Sequence, residues 1–357
     1  MIKFVTVERV RPGVTLAKDV YGVDTFTGKI VMLKSGQTLT MAHITKLMGL
    51  DLQGIYISEP PVASNLISGD TKHEIFHLID ELESSATTAF LSLYKEKIED
   101  ATEIISDFVD NVLRREELKI SMESLNFREN VHYTHTLATA IISIVVAQEM
   151  GLSKADIMDL TFAALIHDIG DNRLPEGLLE KPARLTDEEY ETVKTHTKLG
   201  FEMLSAEDFP DLPDSIKQGV LSHHERFDGS GYPKGLKGEE IPLFSRIIAV
   251  ADVYSALTSD RPYRSAYQVS EAIEYIMGNA DRQFDANVVT AFLKIISPYP
   301  IGSCVRLSSG ERAVVSEQNP KNPLRPVVFL MDDPTAVIDL YNDKCFFNVV
   351  ITELLDE

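Results

Sequence analysis

Histidine placement constrains this chain more than any other feature. Six of nine histidines fall between residues 132 and 224, inside segments whose apolar residues recur with a helical period. His135, the adjacent His167-Asp168, His196 and the adjacent His223-His224 are followed by Asp252 on the apolar stretch IIAVADVYSAL. Imidazole and carboxylate together suit borderline divalent metals such as iron, manganese or zinc. A His-Asp pair lets one carboxylate bridge two ions while its neighbour binds one of them. Two ions about 3.5 to 4 Å apart can serve a displacement at a phosphodiester. Any one of these histidines alone reads as a satisfied core or surface side chain. Seven ligand types in this order, with the loop Asp228-Gly229-Ser230-Gly231-Tyr232-Pro233, point to a metal site.

The ligand-bearing region, residues 128 to about 298, has few strand signals and is expected to fold as an all-α domain. Residues 1–60 read as a small mixed α/β module. Its β-branched runs are Ile2 to Val5, Lys29 to Leu33 and Gly54 to Ile57, and Thr40 is placed to cap a short helix through Leu50. Residues 61–127 combine a Pro60-Pro61 linker with amphipathic helices, where Ile75, Ile79 and Leu82, then Ile104, Phe108 and Val112, recur at helical steps. That apolar face must bury itself against the following domain or against a second copy of the chain, which makes helices 72–118 a candidate homodimer surface. From Tyr299 the texture changes to VRL, AVV, PVVFLMDD, AVIDLY and NVVITEL between Gly, Pro and Asn, the pattern of a small β module.

Composition enters as an exclusion. The chain carries 34 Lys plus Arg against 55 Asp plus Glu, a formal charge of −21. A surface this acidic gives no long-range attraction to nucleic-acid polymers or anionic membranes. Much of the excess lies in residues 61–127, with 6 basic against 14 acidic side chains. Cys304 and Cys345 form neither a disulfide framework nor a C-x-x-C site, and no apolar run approaches a membrane span. The first twenty residues interleave charge with apolar positions and read as no signal peptide, so the chain is expected to be soluble and cytoplasmic.

The stretch from Tyr133 to about Phe292 resembles an HD-GYP domain, the subclass of HD-superfamily phosphohydrolases that act on the bacterial second messenger cyclic di-GMP. The residues carrying the resemblance are YTH ending at His135, HDIG (His167 to Gly170), KPARLTDEEY (Lys181 to Tyr190), His196, HHERFDGSGYP (His223 to Pro233) and ADVYSALTSDRPYR (Ala251 to Arg264). The resemblance implies a pair of iron or manganese ions held by His135, His167, Asp168, His196, His223, His224 and Asp252, with Asp168 as the bridge. It further implies attack of a metal-bridging hydroxide on phosphorus, opening the ring to linear pGpG, with continuation to GMP left open. Arg261 and Arg264 match phosphate-binding positions, where a guanidinium fork suits phosphate oxygens. Gly231 and Tyr232 would lie on the substrate side, in a loop through Pro233 that the family also links to diguanylate cyclase domains.

Several positions depart from that pattern. Asp171 stands where the family usually has Lys, and it is the site residue whose charge bears most directly on catalysis. Ser255 stands where a second Asp is usual. Val131 replaces the Glu of three-metal members, which argues for two ions, while His132 is a candidate extra ligand one turn before His135. Intact ligands with altered neighbours leave two functions open besides the phosphodiesterase. One is a catalytically weak receptor or cyclase-interacting regulator, and a more distant one is hydrolysis of another nucleotide. His73-Glu74-Ile75-Phe76-His77 with Glu96 to Asp100 also spells a zinc-protease motif, which reads here as a charged helical linker.

Overall fold

In the computed structural model, the described residues are 131–355 apart from 180, 182, 206–211, 260–264 and 334–335, together with 103–113, residues 74, 75 and 77, and much of 2–58. The chain divides into two compact units, Asn65–Ile296 and the pair of segments Met1–Ser64 and Ser297–Glu357.

In the second of these units the elements are β1 (Ile2–Val5), β2 (Thr15–Leu16), β3 (Val20–Asp24), β4 (Gly28–Leu33), α1 (Met41–Met48) and β5 (Ile55–Ser58). Strands β1, β5 and β2 form an antiparallel sheet in the order β1-β5-β2, and β3 pairs with β4. Thr40 does begin α1, through the backbone bond from Ile44 and a 3.4 Å bond from the His43 amide to its own hydroxyl. Leu16, Leu39, Ile44, Leu47, Ile55 and Ile57 are all buried in one cluster.

After Tyr299 come β6 (Cys304–Leu307), β7 (Arg312–Glu317), β8 (Val327–Leu330), β9 (Val337–Asp339) and β10 (Ile351–Leu355), one antiparallel sheet in the order β10-β6-β7-β8-β9. Each overlaps one of the five apolar runs, as expected. Val305, Leu307, Ala313, Val315 and Val328 alternate onto a buried face.

The larger unit is helical. Its described helices are α2 (103–113), α3 (Val131–Glu149), α4 (Lys154–Leu165), α5 (Asp187–Val193), α6 (His196–Leu204), α7 (Asp214–Ser222), α8 (Leu243–Thr258), α9 (Val269–Gly278) and α10 (Ala286–Ile295). Helix α3 is central because it is apolar on every side, and every residue from His135 to Ala147 is buried. Burying a Leu or Ile side chain contributes about 1.5–3 kcal/mol, so the run from Leu137 to Val146 anchors the unit.

Local signals set the helix ends. Helix α3 stops at Gly151, whose φ of 79° is open to glycine; Leu152 bonds back to Ala147 and Gly151 to Gln148, closing a Schellman motif. Ser153 then caps α4, and Thr186 with Glu189 forms a capping box on α5. Arg246 of α8 reaches Asp285, which also caps α10, so one carboxylate ties two helices together.

The apolar face of α2 has a partner within the chain. Ile105, Phe108, Val109 and Val112 are buried, and Lys154 of α4 meets Asp110 at 2.7 Å. Ile75 is likewise buried, while Ile79 and Leu82 lie outside the described residues. No described helix is long and apolar enough to cross a membrane.

Candidate metal centre

Three of the predicted ligand histidines are aimed by the same local device. The last carbonyls of an α-helix lack an internal partner. His167 follows α4 and its Nδ1 bonds the Ala164 carbonyl at 2.7 Å. His196 follows α5 and bonds Val193 at 2.7 Å; His223 caps α7 and bonds Val220 at 2.7 Å. A carbonyl only accepts, so each Nδ1 carries a proton and each Nε2 lies on the opposite side of the ring, where its lone pair serves a metal once the ring is neutral. That arrangement is the usual support of a metal-binding imidazole.

His135 is aimed differently. Its Nδ1 lies 2.9 Å from the Ser255 hydroxyl on α8, and that hydroxyl lies 3.3 Å from the His135 carbonyl. Ser255 accepts from the ring and donates to the backbone, which turns His135 Nε2 toward Asp252 at 3.2 Å. A position that reads in the sequence as a missing carboxylate is therefore a buried hydroxyl supporting a ligand.

The ligand atoms converge on Asp168. Potential ligand atoms of His135, His167 and Asp168 lie within 4.8 Å of one another, as do those of Asp168, His196, His223 and His224. Asp168 belongs to both groups. Its Oδ2 is 3.2 Å from His167 Nε2, and its Oδ1 is 3.4 Å from His223 Nε2 and 3.5 Å from His196 Nε2. The structure thus brings together all seven side chains singled out from the sequence, with Asp252 joined through His135.

Two glycines allow this approach. A Cβ on Gly170 would stand 1.9 Å from the His196 carbonyl oxygen, so only glycine lets the His167-Asp168 turn close onto the start of α6. A Cβ on Gly231 would stand 2.2 Å from the Arg226 amide, the price of folding the substrate-side loop against the segment after His224. Buried Glu225 holds that loop by accepting from the Lys234 and Leu236 amides at 2.7 and 3.0 Å.

The electrostatics suit cations. Burial lowers the pKa of His196, and burial with the neighbouring His223 holds His224 well below its ordinary value, so both imidazoles are neutral near pH 7. Burial also acts to lower His167, but the Asp168 carboxylate outweighs it and pushes His167 up to about 9. Asp168 and Asp252 stay ionised despite burial, the first chiefly through His167 and the second through His135. His167 Nε2 is enclosed and makes no aligned hydrogen bond. An enclosed imidazole nitrogen facing a carboxylate is what a divalent ion satisfies, so the donor set fits the group that the motifs imply.

The surrounding cavity, of about 810 Å³, is also lined by Asp171, Gly231 and Tyr232. Asp171 Oδ1 is 3.9 Å from His196 Nδ1. The Tyr232 ring packs on His224 with centroids 4.9 Å apart, and burial, with Tyr190 and Asp168, raises its pKa so that the phenol stays protonated. Arg261 and Arg264 lie outside the described residues, as does the side chain of His132. In the zinc-protease spelling Glu74 and His77 are exposed, and His73 and Glu96 to Asp100 are outside the described residues. Tyr190 and Lys194 also line the cavity; both stand in or beside the quoted motifs, yet nothing in their spacing marks them.

Residues 94–288 match the family described as HD domain. The cyclic di-GMP phosphodiesterase PA4108 of Pseudomonas aeruginosa is 37% identical over 228 residues, which cover 64% of this chain and 54% of that protein. A cyclic di-GMP phosphodiesterase of Thermotoga maritima is 37% identical over 224 residues, or 63% of this chain and 59% of that protein. Among solved structures, Bd1817, a HDG"Y"P protein from Bdellovibrio bacteriovorus, aligns at a TM-score of 0.44 and 15% identity, covering 82% of this chain and 98% of that one. The chain spans a little over half the length of these two curated relatives. With more than half of its residues in the match and the GSGYP loop beside the histidine cluster, the chain belongs to the HD domain family, in its HD-GYP branch.

Proposed function

We propose that the chain is a metal-dependent phosphodiesterase that hydrolyses cyclic di-GMP to pGpG, with continuation to GMP left open. The observation carrying this reading is that Asp168 is common to two groups of ligand atoms, the layout a bridged pair of ions needs. Asp168, His196, His223 and His224 would hold one ion, and His135, His167 and Asp168, with Asp252, the other. Two iron or manganese ions, once bound, would supply an activated water as nucleophile and positive charge for the departing ribose 3′-oxygen. The chain's own groups orient the substrate. Arg261 and Arg264 would pair with phosphate oxygens, Tyr232 would donate from its protonated phenol, and Gly231 would let the loop backbone close on the ligand.

The four-part division at 1–60, 61–127, 128–298 and 299–357 belongs to the same proposal, as does a cytoplasmic location. A diguanylate cyclase domain docking on the Gly231-Tyr232-Pro233 loop is its partner component. A homodimer through helices 72–118 is left with less support, because the α2 face is buried within one chain.

Protein purified anaerobically with iron or manganese should hold two ions per chain and convert cyclic di-GMP to pGpG on chromatography. Two ions without product would sink the enzyme reading. That outcome favours a second reading, a cyclic di-GMP receptor or cyclase regulator with weak turnover. Its motive is Asp171, a carboxylate inside the cavity where charge repels a phosphate at short range. Under that reading Asp171→Lys raises turnover; equal rates in the two proteins would remove position 171 from the mechanism.

A further inference from the structure

The cavity of about 810 Å³ is sized for a whole small ligand, and the metal chemistry does not use its outer wall. That wall is supplied by α5 and the residue that ends it. Tyr190 and Lys194 are one helical turn apart, so they share a face. Both line the cavity with Tyr232. The Lys194 ammonium sits 5.0 Å from the Tyr190 ring centroid and 5.7 Å from that of Tyr232. Tyr232 is backed by His224, whereas Tyr190 is 49% exposed, a large ring left unpacked at the rim. Lys194 is held meanwhile by Glu191 at 2.5 Å, an exposed pair three residues apart on the helix. Such surface pairs contribute little, so the ammonium is available to a ligand.

We propose that Tyr190 and Lys194 form a purine subsite: the base of the cyclic dinucleotide stacks on the Tyr190 ring and the Lys194 ammonium donates to guanine O6 and N7. The inference rests on the cyclic dinucleotide reading above and deepens it to a base preference. Stacking on an aromatic ring is indifferent to which base is present, since every base has a π-face. The cation supplies the selection. Guanine offers two adjacent acceptors, whereas adenine places an amino donor beside its N7.

The test uses the metal-loaded full chain with cyclic di-GMP, cyclic di-AMP and bis(p-nitrophenyl) phosphate, a diester without a purine. Tyr190→Ala should raise KM for both dinucleotides about tenfold with a much smaller change in kcat, and Tyr190→Phe should restore it. Lys194→Met should cut the preference for cyclic di-GMP over cyclic di-AMP about tenfold. In both variants kcat/KM should fall far less for the purine-free diester. Unchanged KM in Tyr190→Ala, or an unchanged preference in Lys194→Met, would overturn the subsite while leaving the phosphodiesterase reading in place. Equal losses on all three substrates would also overturn it, by making both residues structural. Wild-type protein that cleaves bis(p-nitrophenyl) phosphate but neither binds nor cleaves either dinucleotide would sink the functional reading itself, and the subsite with it.

Discussion

The two sides of the histidine cluster are built by different means. On one side His167, His196 and His223 each spend their Nδ1 proton on a helix carbonyl three residues back. On the other, His135 depends on the hydroxyl of Ser255, 120 positions away on another helix. A backbone carbonyl is present whatever the side chains, so the first device is fixed once α4, α5 and α7 form. The second is fixed only when α3 and α8 have packed. The comparison teaches that one part of the donor set is a property of local chain geometry and the other of tertiary structure, and the two should fail separately.

Asp168 is the residue that the two groups of ligand atoms share, and removing it should give the largest effect. In Asp168→Ala neither group keeps its common carboxylate. Metal content is expected to fall from two ions per chain to less than one, and turnover of cyclic di-GMP by roughly 10³-fold, a loss of about 4 kcal/mol of transition-state stabilisation. Elemental analysis with single-turnover kinetics would check it. Retention of both ions would show that the two groups are independent sites and that the bridge is wrong.

This asymmetry also explains what the sequence made legible. The His167-Asp168 and His223-His224 pairs could be read because their donors are adjacent in the chain, and Gly170 and Gly231 because they stand in the same short motifs. Gly170 is informative in sequence and necessary in space, since any larger residue collides with the His196 carbonyl. Ser255 was misleading for the opposite reason: its use depends on a helix crossing that no spacing encodes, so it registered only as a lost carboxylate. The apolar face of α2 was visible as a pattern, but a pattern does not name the surface that covers it. Strand β2, two residues long, and the β3 run of Val20–Asp24 were too short or too mixed to stand out from the loop around them. Tyr190 is only the last residue of a motif string, and Lys194 lies outside every one of them.

Ser255→Ala should separate the two ions with the next largest effect. Loss of an outer partner of a ligating histidine typically costs 10–100-fold in metal affinity. The loss should fall on the His135 ion alone, so titration with a chelator would release one ion early and the other at the wild-type concentration. Simultaneous release of both would mean that Ser255 acts on the whole bundle and not on His135.

Acidity should affect the two ions unequally as well. In metal-free protein His167 carries a proton up to about pH 9, because Asp168 outweighs the effect of burial. A pKa raised above the ordinary value of about 6.5 contributes stability that is complete below about 6.5 and lost as pH rises through 9. A metal must displace that proton, so affinity on the His167 side should fall about tenfold for each unit of acidification below 9. His196 and His224 are already neutral near pH 7, burial holding both below their ordinary value. The ion they hold should therefore show a weaker dependence between pH 7 and 9, measurable by isothermal titration across that range.

The smallest effect tests whether the backbone device depends on anything beyond the helix itself. Thr186 accepts from the Glu189 amide at 3.2 Å while Glu189 returns a 2.7 Å bond, and together they start the helix whose last carbonyl holds His196. Thr186→Ala should cost about 1 kcal/mol, the usual loss for an N-cap hydroxyl, and hydrogen exchange should speed within α5. The Val193 carbonyl survives the substitution, so metal affinity on the His196 side should change by no more than about the fivefold that 1 kcal/mol represents. A larger drop would mean that the ring is not held by the carbonyl of a folded helix alone. The division between backbone-held and side-chain-held ligands would then have to be redrawn around the Lys181–Glu189 pair that braces the start of α5 at 2.7 Å.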